Sequence, residues 1–194
     1  ASRQVTTSAG TLTVGGAVSG SGFSLTKTGA GTLVFGGTNT YDGGTTLSAG
    51  TLTVNSGASL AASTGALTVN GGTLNLNNAA QTVASLNGSG GTVNLGSGHT
   101  LTVNSSGSDS FSGALGSSGT LTKSGTAGSV LTLSGNSSGF TGAINVTAGT
   151  LNAQGSNNAL GTGTAGTTVS SGATLALQGG VTVANGTLSL TGTG

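Results

Sequence analysis

A four-residue phrase, Thr-Leu-Thr-Val or a close variant, recurs along the whole chain, and its spacing limits the fold more than any other feature. It stands at Thr11–Val14, Thr32–Phe35, Thr51–Val54, Ala66–Val69, Thr73–Leu76, Thr92–Leu95 and Thr100–Val103. It returns at Leu131–Leu133, Thr150–Ala153, Thr174–Leu177, Val181–Val183 and Thr187–Leu190. Apolar side chains fall at every second residue, mostly with Thr, Asn or Ser between them, as in a strand buried on one face. No apolar stripe of helical period is long enough for more than one turn of helix. Between the strands lie pairs such as Gly36-Gly37, Gly43-Gly44, Gly71-Gly72 and Asn87-Gly88. These read as corners, because Gly takes positive φ without a Cβ clash.

The spacing separates a stack of coils from a sandwich or barrel. The main strand recurs at Leu12, Leu33, Leu52, Leu74 and Val93, in steps of 21, 19, 22 and 19 residues. A repeat of about 20 residues drawing on one small set of inward residues points to stacked parallel coils, with like side chains above like. Parallel crossovers are right-handed. The sequence therefore predicts an all-β, right-handed parallel β-helix of about 20 residues per coil and roughly nine or ten coils, formed by residues 1–194 as one solenoid. Leu33, Phe35, Leu52 and Val54 should point inward, and Thr32, Val34, Thr51 and Thr53 outward. Thr11, Thr32, Thr51, Thr73 and Thr92 should stack on an outer face, for which the β-propensity of Thr is reason enough. Residues 105–119 interrupt the alternation and read as an enlarged loop or irregular coil.

Composition narrows the function. Charged residues make up 3% of the chain, against about 25% in an ordinary domain. Pro, Cys, Met and Trp are absent and the net charge is +1. Such a surface lacks the basic footprint that nucleic acid requires. No run approaches the roughly 20 apolar residues of a membrane span. A chain without Met that begins at Ala1 reads as a mature product after removal of a signal peptide, hence secreted, extracellular or surface-attached.

Few residues could carry chemistry. The carboxylates Asp42 and Asp109 lie 67 residues apart, or about 16 Å along a stack of 4.8 Å layers, too far for a hydrolytic pair. His99 reads as an exposed turn histidine. The match of Gly161–Gly166 to a dinucleotide-binding pattern lacks the helix and the downstream acid that give it meaning. The expectation is a protein that is not an enzyme, with no cofactor and no metal. Lys27 and Lys123 occupy equivalent turn positions and read as solvated lysines that blunt an edge. Tyr41 and Phe140, also equivalent, read as caps of an apolar corner.

One longer stretch is repeated. Residues Leu25-Thr26-Lys27, Gly29, Gly31-Thr32-Leu33, Asn39-Thr40-Tyr41, Gly43-Gly44-Thr45-Thr46 and Ala49-Gly50-Thr51-Leu52 have a looser copy between Leu121 and Ala153. In that copy Lys123 matches Lys27, Phe140 matches Tyr41, and Ala148–Leu151 matches Ala49–Leu52, while the Asn-Thr-Tyr triplet is missing. Both copies resemble the autotransporter-associated β-strand repeat, also called the passenger-associated transport repeat. The resemblance implies a right-handed β-helical passenger of a bacterial surface protein, a stalk rather than a catalytic head. Family members commonly continue into an outer-membrane barrel, absent here, so the chain is expected to be an excised segment or a free-standing protein reusing the repeat.

The ends suggest how such a rod would be used. Soluble solenoids cap their terminal coils, and no cap is legible at either end. Thr11, Leu12, Thr13 and Val14 near one end and Thr187, Leu188, Ser189 and Leu190 near the other use the alphabet of the interior. They form a possible subunit interface, through which copies would stack head to tail into an extracellular filament. The alternative is a passenger segment of an autotransporter adhesin on the outer membrane, with a host or matrix surface as its partner.

Overall fold

The computed structural model describes residues 1–77 and 80–191. Residues 78–79 and 192–194, which the expected single solenoid includes, lie outside the described residues. Every ladder between strands is parallel, and the chain winds through about nine turns of ~21 residues as a β-solenoid.

The solenoid has three sides. The first is formed by β1 (Ser2–Thr6), β3 (Ser24–Thr28), β5 (Thr45–Leu47), β7 (Ala66–Val69) and β10 (Ser85–Asn87). It continues through β13 (Ser108–Phe111), β16 (Val130–Leu133), β18 (Thr150–Gln154) and β20 (Thr174–Gln178), joined to β10 by a bridge between Gly88 and Phe111. The second side holds β2 (Thr11–Val14), β4 (Thr32–Phe35), β6 (Thr51–Val54), β8 (Thr73–Leu76), β11 (Thr92–Leu95) and β14 (Ala114–Gly116). The third holds β9 (Gln81–Val83), β12 (Thr100–Ser105), β15 (Thr120–Gly125), β17 (Ile144–Val146), β19 (Thr167–Val169) and β21 (Leu188–Leu190). The early coils thus build strands on the first and second sides, and the late coils on the first and third.

Register follows the alternation. On the second side Leu12, Leu33, Leu52, Leu74, Val93 and Leu115 stack inward. Thr11, Thr32, Thr51, Thr73 and Thr92 stack outward in the same strands. Leu33, Leu52, Leu74 and Val93 are fully buried. Each coil contributes a few aliphatic side chains that its neighbours seal, so a narrow core suffices.

Where a side lacks strands, side chains replace the backbone ladder. In the early coils Asn39 Oδ1 accepts the Val18 N–H at 2.8 Å and Asn39 Nδ2 donates to Ser59 O at 2.6 Å. One coil on, Gln81 Oε1 accepts the Leu60 N–H at 2.8 Å. In the late coils Ser137 Oγ accepts the Leu115 N–H at 3.0 Å. Buried backbone groups need partners wherever strands cannot supply them, and buried Asn39, Gln81 and Ser137 supply them here.

One expectation is narrowed and one corrected. Residues 105–119, expected as an enlarged loop or an irregular coil, form a coil that holds β13 and β14, in ladder with β16 and β11. The alternation was hidden because Asp109 takes an inward position opposite Leu131. Val181–Val183 forms no strand. It lies on the second side after β14, where the late coils cross without strands, and its two valines pack half-buried on the core.

Candidate functional site

The polar side chains in the interior are the chemically unusual groups of this protein. Lys27 and Lys123 are not solvated turn lysines; both are fully buried. Each occupies an inward ladder position, Lys27 between Val5 and Leu47, Lys123 between Val103 and Val146. The stem therefore packs among aliphatic neighbours and the ammonium reaches the corner of the coil. Lys27 Nζ donates to Thr28 O at 2.9 Å, Gly29 O at 2.8 Å and Ala49 O at 3.1 Å. Lys123 Nζ donates to Ser124 O at 2.6 Å, Ser129 Oγ at 2.7 Å and Ala148 O at 3.3 Å. An ammonium has three donors, and in both sites all three are used. Burial lowers both lysines from their ordinary values, and for Lys123 the nearby Asp109 carboxylate opposes part of that shift.

The aromatic pair diverges in detail. Tyr41 and Phe140 are both buried, as caps of an apolar corner should be. The Tyr41 hydroxyl donates to Leu60 O and shares a 2.7 Å hydrogen bond with Thr45 Oγ1. Burial pushes its pKa up to about 12, against a smaller lowering by Thr45.

The carboxylates have separate local roles. Asp42 Oδ1 accepts the Gly22 N–H at 2.6 Å and Oδ2 accepts from Ser21 Oγ at 3.1 Å, tying its corner to the preceding coil. These bonds, Gly22 first, hold its carboxyl below the usual range. Asp109 is buried, with Oδ1 accepting from Asn87 Nδ2 at 3.2 Å and Oδ2 unpartnered. Asp42 immediately precedes the β5 corner, and β13 is three rungs beyond β5 on the first side, roughly 14 Å at 4.8 Å per rung. The two do not converge. His99 sits half-buried in the turn before β12, its N–H donating to Gly96 O at 3.0 Å. Among the described residues no group of three or more His, Asp or Glu side chains could hold a metal ion.

At the ends, Thr11–Val14 is the edge strand of the second side and Leu188–Leu190 that of the third. Leu12 is 44% exposed, Leu188 42% and Leu190 74%, whereas Leu33 and Leu52, in the same ladder as Leu12, are at 0%. One end is partly covered. Arg3 occupies an inward position opposite Leu25 and lies 4.7 Å over the Phe23 ring. Below it is a cavity of about 160 Å³ lined by Val18, Leu25 and Tyr41. Sequence reasoning missed this cover because it began the ladder at Leu12 and passed over β1.

The two repeat copies occupy different sides of the rod. In the first, Lys27 lies on the first side and Leu33 on the second. In the second, Lys123 lies on the third side and Leu131 on the first. Phe140 bridges Ser117, next to β14 on the second side, whereas Tyr41 lies on the strandless third side of its coil. The 96-residue interval between the lysines explains the rotation: at ~21 residues per turn it is about 4.6 turns, not a whole number.

Comparison with known proteins finds the same repeated stretches. The passenger-associated-transport-repeat family matches residues 25–54, 60–76 and 121–153. The middle match runs through β7 and β8, in phase with the first copy. A stretch of 116 residues is 43% identical to the adhesin BmaC autotransporter of Brucella suis biovar 1 (strain 1330), over 55% of this chain. The chain spans 3% of the length of that relative. No solved structure matches the chain. The chain is a β-solenoid in which residues 25–54, 60–76 and 121–153 are similar to the passenger-associated transport repeat, the two longer stretches being set on different sides of the rod.

Proposed function

We propose that this chain is a non-enzymatic stalk segment of a passenger displayed on the cell surface. One observation carries the reading: the two long copies of the repeat, 25–54 and 121–153, face different sides of the rod. A repeat that served as a ligand site would gain from presenting its residues in one direction. This repeat instead turns its distinctive side chains, Lys27, Tyr41, Lys123 and Phe140, inward. What remains outside is columns of Thr, Asn and Ser on a nearly uncharged surface. About nine layers 4.8 Å apart make a rod of roughly 40 Å, suited to holding another part of a surface protein away from the membrane. The likeness to an adhesin autotransporter supports display outside the cell and adhesion by the whole protein of which this would be a length. Antibody labelling and protease treatment of intact cells expressing the gene test the reading. The segment should be labelled and cleaved without lysis; reactivity appearing only after lysis would overturn it.

A second reading, head-to-tail stacking of copies, is favoured by the exposed inward leucines Leu12, Leu177, Leu188 and Leu190. Successive copies rotated by one third of a turn would set β21 over β1 and β20 over β2, so that strands meet strands and strandless sides coincide. That rotation equals the one between the two internal repeats. Gel filtration and electron microscopy of the purified chain should then show concentration-dependent rods that Leu190→Glu abolishes. A monomer at all concentrations would exclude it.

A further inference from the structure

Lys27 and Lys123 pose a physical problem the stalk reading does not address. A buried cation ordinarily sits against a carboxylate. Lys27 has around its ammonium three backbone carbonyls. Two of these, Thr28 O and Gly29 O, belong to its own corner, and the third, Ala49 O, to the corner of the next coil. Lys123 repeats the plan with Ser124 O, Ser129 Oγ and Ala148 O. The equivalent Gly50 and Gly149, at φ +71° and +70°, close the far side of each cage. A Cβ on Gly50 would lie 2.3 Å from Gly29 O and 2.8 Å from Lys27 Nζ, and one on Gly149 would lie 2.9 Å from Lys123 Nζ. Lysine, the three acceptors and the glycine therefore form one fitted unit, built twice on different sides of the rod.

We propose that each lysine is an interlock: its ammonium is a tethered cation that closes a cage of oxygens shared by two successive coils and fixes the register of the coil that follows. The cage oxygens replace the water an ammonium would otherwise keep, and the lysine in turn gives a donor to corner carbonyls, of which Thr28 O also accepts the Thr7 N–H at 3.1 Å. Because the unit needs only a corner and the corner above it, it works on any side. This accounts for the repeat being portable around the rod. The inference is independent of where the protein is displayed.

Substitution and chemical rescue test it in the full chain. Lys27→Met keeps the packed stem and removes the cation. Amide hydrogen exchange at residues 28–31 and 49–52 should accelerate about tenfold or more, since bonds to a charged donor are lost, while residues 120–153 exchange as before. Lys123→Met should do the converse at 124–130 and 148–151. In Lys27→Ala the space vacated matches n-propylammonium, which should restore protection where neutral 1-propanol does not. Unchanged exchange in both methionine variants would reduce the lysines to packing and overturn the proposal, as would equal rescue by the alcohol. Should Lys27→Ala fail to fold, the methionine variants decide alone.

Discussion

The first and second repeat copies differ in the side they occupy and agree in what they bury. Leu52 closes the first copy on the second side, and its counterpart Leu151 lies on the first side. Both are fully buried, as are Lys27 and Lys123. The copies part company at the aromatic corner, where Tyr41 brings a hydroxyl and Phe140 does not, and one residue on, where Asp42 stands opposite Thr141. The contrast teaches that the repeat specifies a corner and the step to the next coil, not a direction in space. Any exposed surface it makes is incidental to that task.

The largest effect that could break this equivalence lies in the core. Leu52→Ala and Leu151→Ala should each cost about 2–5 kcal/mol, because both empty a site with no exposure and the coils above and below cannot close it. If the side of the rod is immaterial, denaturant midpoints for the two variants should agree. Leu12→Ala, in the same ladder as Leu52 but 44% exposed, should cost about 1 kcal/mol, since much of its apolar surface is already wet. Unequal costs at Leu52 and Leu151 would mean that the side matters after all.

What the sequence disclosed and concealed follows from which residues point inward. Strands with two aliphatic inward residues, such as Thr32–Phe35 and Thr51–Val54, were legible as alternation, and their spacing led to the solenoid. Several of those overlooked carry a polar residue at an inward position: Lys27 in β3, Thr45 in β5, Gln81 in β9, Asp109 in β13 and Lys123 in β15; others, such as β17 with Ile144 and Val146 inward, are three residues long, too short for alternation to stand out. Period-2 reasoning discounts a polar inward residue, whereas a corner rich in unpaired carbonyls and N–H groups receives one. The lysines were misjudged as solvated for the same reason, since a charge reads as surface until an acceptor cage is in view. The rotation between copies was available in the sequence, as an interval of 96 residues that is not a multiple of the coil length, but it has no meaning until three sides are known. The cover at Arg3 depends on the Phe23 ring coming under it, a long-range contact that no local pattern encodes.

The aromatic corner gives the next largest contrast, and it appears in alkali. Tyr41 is the sole tyrosine, and in the fold its pKa is pushed from 10.0 up to about 12. Between those values the folded chain holds a proton that the unfolded chain has released, so stability falls as pH rises. The loss approaches something on the order of 2–3 kcal/mol when the window has been crossed. The buried lysines act oppositely: with folded pKa values below 10.5, their contribution grows as pH rises toward that value. Stability should therefore decline beyond pH 10, with the lysines offsetting part of the loss below 10.5. Tyr41→Phe, which makes the first copy resemble the second, should abolish the decline attributable to this residue. Tyrosinate absorbance reports on a single group here, so a titration midpoint near 10 would show that the hydroxyl is not held as described.

The smallest contrast lies in acid, at the residue after the aromatic. Asp42 accepts from Gly22 and Ser21 of the preceding coil, and these bonds hold its carboxyl below the ordinary 3.8. In the second copy the corresponding Thr141 ties to the preceding coil through its backbone, donating its N–H to Ser117 O at 2.9 Å. A depressed carboxyl stabilises the fold above its unfolded value, and the benefit is lost as pH falls through the folded value. The corner at Ser21–Gly22 should thus loosen below about pH 4 while the corner at Ser117 does not. Asp42→Asn should remove the pH dependence at the first corner and leave the second untouched. Because Asp42 is only partly buried and solvent screens it, the effect should be local, visible in amide exchange at Gly22 rather than in the midpoint for the whole rod. Equal acid sensitivity at both corners would mean that the carboxylate is not what joins these coils, and that the two copies are more alike than their sequences suggest.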